Sequence, residues 1–258
     1  MQSIKNLLDE AAARIETPEF IADDPVQFPR LFSSLPDIEI TALCTALMAW
    51  GNRRMILRDA RRLLEIMDMQ PHRWVKESGW RDLDPALSLH RTLFVRDLSR
   101  LLEALRKIYS RYPTLEAFME AEGVSRCEAP AWEFAARLQQ IMLADGEGAC
   151  PQCIPSRMGT TPLKRFNMAF RWLVRRDSPV DLGVWRSISP SQLYIPLDVH
   201  VGRISRETGL LLRRSNDRKA VEELTGRLRE LLPEDPTRYD FALFGLGIER
   251  KESALKRE

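Results

Sequence analysis

The chain has 258 residues, with 29% charged side chains and a formal charge of only +2, so it can bury a large core and is not a generic polycation. No stretch approaches the ~20 apolar residues of a membrane span, and MQSIKNLLDEAAARIE reads as an amphipathic helix rather than a cleavable leader. Four cysteines in so long a chain do not suggest a disulfide framework, so a cytoplasmic protein with reduced thiols is expected.

In chain order, a helix is predicted over residues 3–16, then an extended segment to about Pro36 marked by PEF and DDP. Pro36-Asp37 opens a strongly apolar helix, IEITALCTALMAW, broken at Gly51-Asn52. Helical spacing continues over 55–69, 72–76 and 93–109, with a further segment near Trp80–Leu89 less clearly helical. Thr114 caps a short helix to Glu120, and Ala131–Ala144 follows Pro130. Gly146–Thr161 is a loop rich in Gly, Cys and Pro. Helices over about 217–232 and 238–245 complete the chain before a frayed tail, ERKESALKRE. Alternating strand patterns are nearly absent, so the expected class is all-α.

The stretch from Lys164 to Arg206 carries the most chemistry. Lys164, Met168, Arg171 and Arg175 share one helical face, while Phe166, Phe170 and Leu173 fall on faces that can pack inward. Thr161 is the expected N-cap and Pro162 suits the first turn, which puts Lys164 near the N-terminus of that helix. Asp198 follows Pro196 and reads as the N-cap of the next helix, which Gly209 ends. Arginines gather locally, at 53–54, 61–62, 175–176 and 213–214, which fits phosphate contact and a solvated helical surface about equally.

Pro196-Leu197-Asp198-Val199-His200 resembles the aspartate motif of helix-hairpin-helix DNA glycosylases, in particular the branches that excise oxidised guanine. Gly159 to Phe170 is similar to their hairpin and lysine helix, and KRFNMAFRWLVRRD, IPLDVHVGR and YDFALFGLG resemble an uncharacterised bacterial family of that superfamily. The resemblance implies a two-lobed fold, with a helical-barrel lobe over 37–176 and a second lobe built from 1–36 and 177–258. It implies Lys164 as the nucleophile and Asp198 as the carboxylate that stabilises the sugar cation. It also implies that Asn52, Arg53, Gly159, His200 and Arg171 meet DNA, with Met168 and Phe244 walling a pocket for the flipped base. In this reading His200 and the free N–H groups of its helix end form one anion site.

The pattern departs from the superfamily in three places. Thr161 stands where a second hairpin glycine is usual. Asp198 lies 34 residues beyond Lys164, about twice the common spacing, with VDLGVWRSISPSQ as the extra length. The four-cysteine cluster loop is missing, and Cys150-Pro-Gln-Cys153 is a lone CxxC read as two ordinary thiols. The expectation is therefore a metal- and cofactor-free, monomeric base-excision enzyme with lyase activity on a damaged or modified purine in duplex DNA. The alternative is a protein of the same fold that binds DNA or RNA without the chemistry.

Overall fold

The computed structural model describes residues 2–144 and 150–255 and is predominantly helical. α1 (Gln2–Ile15) leads into three short 3-10 turns over residues 18–31, where an extended segment was expected. Pro18, Pro25 and Pro29 open these turns, because a fixed φ and a missing N–H suit a first helical position. α2 (Leu35–Met48) is buried continuously from Ile38, with Glu39, Thr41 and Thr45 included, and is the central helix of the fold. α3 (Arg53–Ile66) and α4 (Pro71–Lys76) pack against it.

The least clear helical prediction, near Trp80–Leu89, is corrected. A 3-10 turn at Gly79–Asp82 is followed by a small antiparallel hairpin, β1 (Ser88–His90) and β2 (Leu93–Phe94). Strands of two and three residues are too short to show alternation, so the sequence carries no strand signal there. α5 (Val95–Tyr109) therefore starts two residues later than expected, with Asp97 Oδ2 accepting the Phe94 N–H at 2.9 Å. α6 (Leu115–Ala121) has the expected cap, Thr114 Oγ1, 3.0 Å from the Ala117 nitrogen. α7 (Pro130–Leu143), α8 (Lys164–Val174), α9 (Val199–Glu207), α10 (Arg218–Leu231) and α11 (Tyr239–Leu255) follow. Residues 145–149 of the long loop lie outside the described residues. So do the last three of the expected frayed tail, whose helical backbone continues to Leu255.

The chain ends meet: α1 packs along α11, and α11 packs on α9, while α2 packs on α8. The connector after α8 is built into the core rather than looping out. Its Leu182, Gly183 and Trp185 N–H groups donate to the last carbonyls of α8, at 2.7, 3.1 and 2.8 Å, satisfying groups a helix end leaves bare. Trp185 then lies against Phe170, ring centres 5.1 Å apart, and Phe170 against Phe134 at 5.7 Å. Phe166, Phe170 and Leu173 face inward as predicted.

One buried carboxylate ties these layers together. Glu39 of α2 is fully buried and accepts from Tyr109 Oη, the Leu115 and Glu116 nitrogens and Trp185 Nε1, all at 2.8–3.1 Å. Burial pushes its carboxyl up while the four donors pull it down. With every lone pair occupied, this polar group specifies how α2, α5, α6 and the connector fit.

Candidate active-site groove

Lys164 is the first residue of α8, two positions nearer the helix end than the expected cap would set it. The residue before the helix is Leu163, in the left-handed region at φ 49°, and Thr161 Oγ1 accepts the Leu163 N–H at 3.4 Å as a turn outside the helix. Asp198 caps α9 as predicted, with Oδ1 accepting the His200 and Val201 N–H groups at 2.9 Å each. That leaves Oδ2 free to face the lysine, and it lies 3.7 Å from Lys164 Nζ. The side chains are 28% and 34% exposed, so amine and carboxylate meet where solvent and a ligand can reach them. An ion pair this open contributes at most about 1 kcal/mol to folding.

Both line one groove of about 850 Å³, together with Met168, Phe244, Arg53 and Asp240. Met168 sits one turn beyond Lys164 on the same face and is 9% exposed. Phe244 is half-buried, with Phe20 edge-on at 5.6 Å and the Arg53 guanidinium 5.3 Å over its ring. The walls are thus a thioether and an aromatic face, a pairing suited to a flat apolar ring. Trp50 and Phe20 add further aromatic lining.

Asp240, on the first turn of α11, was not singled out from the sequence. It is ion-paired with Arg171, and burial together with the nearby Asp198 charge pushes its carboxyl up to about 6, against the pull of Arg171 and Lys164. The signal available was a single acid inside the apolar run YDFALFGLG, since a charge there must be buried with a partner. Asp24 also lines the groove, and burial raises its carboxyl too.

Several expected DNA-contacting residues are placed otherwise. Arg171 is 4% exposed, and its guanidinium is committed to Asp181 and Asp240, so it braces the groove floor instead of offering a phosphate contact. Arg175, the next member of that face, is 2% exposed and bound by Glu16, Asp181 and Asp235. The basic stripe is therefore basic only at its Lys164 end. His200 is exposed and lines the groove, but the N–H groups expected to join it in an anion site are spent on Asp198.

Gly159 lies in an exposed turn where an added Cβ would meet nothing within 4 Å. The amides that follow it, from Thr160 and Thr161, donate back to Arg157, and α7 ends well before the turn. This geometry departs from a compact hairpin flanked by two helices. Asn52 is the N-cap of α3, its Oδ1 3.3 Å from the Met55 nitrogen, while its neighbours Gly51 and Arg53 line the groove.

The thiols of Cys150 and Cys153 both donate to the Asp97 carbonyl, at 3.1 and 3.5 Å. The mutual influence of the two neighbouring thiols lowers Cys150 to about 7 and, with burial, raises Cys153. Among the described residues no group of three or more His, Cys, Asp and Glu side chains gathers to hold a metal ion. No described helix is long and apolar enough to cross a membrane.

Comparison with curated proteins and with solved structures returns no match. A family model described as protein of unknown function (DUF2400) matches residues 24–249, nearly the whole folded body and every groove residue named above except Phe20. The chain is a member of that family.

Proposed function

We propose that this protein is a DNA glycosylase-like enzyme with abasic-site lyase activity, acting on a damaged or modified purine flipped from duplex DNA. The observation that carries this reading is the 3.7 Å approach of Lys164 Nζ to Asp198 Oδ2 in a solvent-open groove. Breaking an N-glycosidic bond develops positive charge on the sugar, which a fixed carboxylate stabilises. Asp198 is fixed because its other oxygen caps α9. The ammonium proton of Lys164 leaves with the departing base, the neutral amine attacks the sugar carbon, and Asp198 Oδ2 is placed to accept the proton then released from the secondary ammonium. The covalent imine then permits elimination of the 3′ phosphate.

Met168 and Phe244 would hold the extruded ring. Asp240 would accept hydrogen bonds from its N–H edge, since an ionised carboxylate is an acceptor only. A central helical barrel facing a lobe made from both chain ends is the finer architecture this reading requires, and the pairing of α1 with α11 supports it.

Borohydride reduction tests the chemistry. Incubation with duplexes carrying an abasic site or a panel of oxidised and alkylated purines should yield a covalent protein–DNA adduct with the wild type. Absence of adduct across the panel, with DNA binding retained, would instead favour a nucleic-acid-binding protein without the chemistry.

A further inference from the structure

Three arginines crowd the rim of the groove around the Trp50–Arg53 turn. Arg53 and Arg54 occupy the first two positions of α3, whose first turn holds no acidic residue. Arg91, at the tip of the β1–β2 hairpin, has φ 51° and its guanidinium 4.6 Å over the Trp50 ring. All three are exposed, and among the described residues none is ion-paired with a carboxylate. Neighbouring arginines are committed: Arg58 pairs with Asp59, and Arg62 donates to the Ser88 and Leu89 carbonyls.

This placement works against stability. Arg53 and Arg54, cations at a helix N-terminus, face the positive end of its dipole. Yet dedicated contacts hold the third cation there. Gly51, at φ 96°, holds a backbone conformation that favours glycine, and the Arg91 guanidinium packs into the space beside it. Beneath the hairpin tip, fully buried His90 places Nε2 2.9 Å from the Trp50 carbonyl and Nδ1 2.7 Å from Asp59 Oδ2. The hairpin and the Trp50–Gly51 backbone are thereby locked together. Asp24 across the groove feels the Arg53 charge but pairs directly with none of the three, so concentrated positive charge on a braced support is left for an external anion.

We propose that Arg53, Arg54 and Arg91 form a phosphate-binding rim that takes backbone phosphodiesters of duplex DNA beside the groove. The inference rests on the DNA reading above and assigns its contact surface. Such contacts position the duplex without reading its sequence. Arg91 is the residue that neither the motif spacing nor the groove lining brings out.

The test is the salt dependence of binding to a labelled duplex containing a tetrahydrofuran abasic-site analogue, measured by fluorescence anisotropy. Each lost phosphate contact should reduce the magnitude of the slope of log K against log salt by about 0.9. Arg91→Gln and Arg54→Gln should each show that reduction and bind several-fold more weakly, whereas Arg91→Lys should keep the wild-type slope. Arg111→Gln, an exposed arginine beyond the end of α5, should change nothing. Unchanged slopes in Arg91→Gln and Arg54→Gln, or an equal drop in Arg111→Gln, overturn the rim. A wild type that binds with the expected slope but gives no borohydride adduct overturns the lyase chemistry alone. A wild type that binds no duplex overturns both.

Discussion

The two ends of α8 carry similar side chains and use them in opposite ways. At its start, Lys164 meets Asp198 across 3.7 Å with both groups about a third exposed. About two and three turns later, Arg171 and Arg175 are 4% and 2% exposed and held by Asp181, Asp240, Asp235 and Glu16. Losing one partner of a buried cluster strands a charge out of water, whereas losing one partner of an open pair returns the other to solvent. The difference teaches that one helical face can be a reactive site at one end and a structural rivet at the other. Burial alone separates the two.

That separation can be broken or sharpened by mutation. The largest effect is expected from Lys164→Gln, which should abolish the borohydride-trapped adduct while leaving stability within about 1 kcal/mol by denaturant titration. Arg175→Ala should do the converse, costing about 3–5 kcal/mol of folding stability because three carboxylates lose their shared cation. A stable Arg175→Ala protein would show that the buried end is not a rivet. Asp198→Asn keeps an oxygen to cap α9 but removes the charge facing the sugar, so single-turnover base release should slow by about 10²–10³-fold.

Asp240 lies between the two ends and gives a pH signature. Its carboxyl titrates near 6 in the folded protein, so the folded state holds that proton more tightly than the unfolded chain. Its contribution to stability should therefore decline as pH rises from the usual carboxylate range through about 6. Comparing wild type with Asp240→Asn by chemical denaturation at several pH values isolates this contribution, and identical pH profiles would contradict it. The smallest effect is expected at the cap of α3, where Asn52→Ala should cost about 1 kcal/mol.

Local chemistry was legible in the sequence and tertiary partnership was not. Asp198 and Thr114 cap their helices through neighbours two or three residues away, as their spacing says, whereas Thr161, expected to cap α8, lies in a turn outside it. Lys164, Met168, Arg171 and Arg175 do share a helical face, but the acids that bury the last two come from before α2, the connector, the turn after α10 and the start of α11. Nothing in the local pattern of α8 reports those partners. The hairpin carrying Arg91 was invisible for a different reason, since its strands are held by Arg62 and by the His90–Asp59 contact rather than by propensity. The connector likewise looked like added length, yet its tryptophan is fully buried.

The most direct measurement is the site of covalent attachment. After borohydride reduction with abasic-site duplex, proteolysis and mass spectrometry should locate a deoxyribose-derived remnant on the peptide containing Lys164. An adduct on any other lysine, or on none while the duplex is bound, would contradict the account.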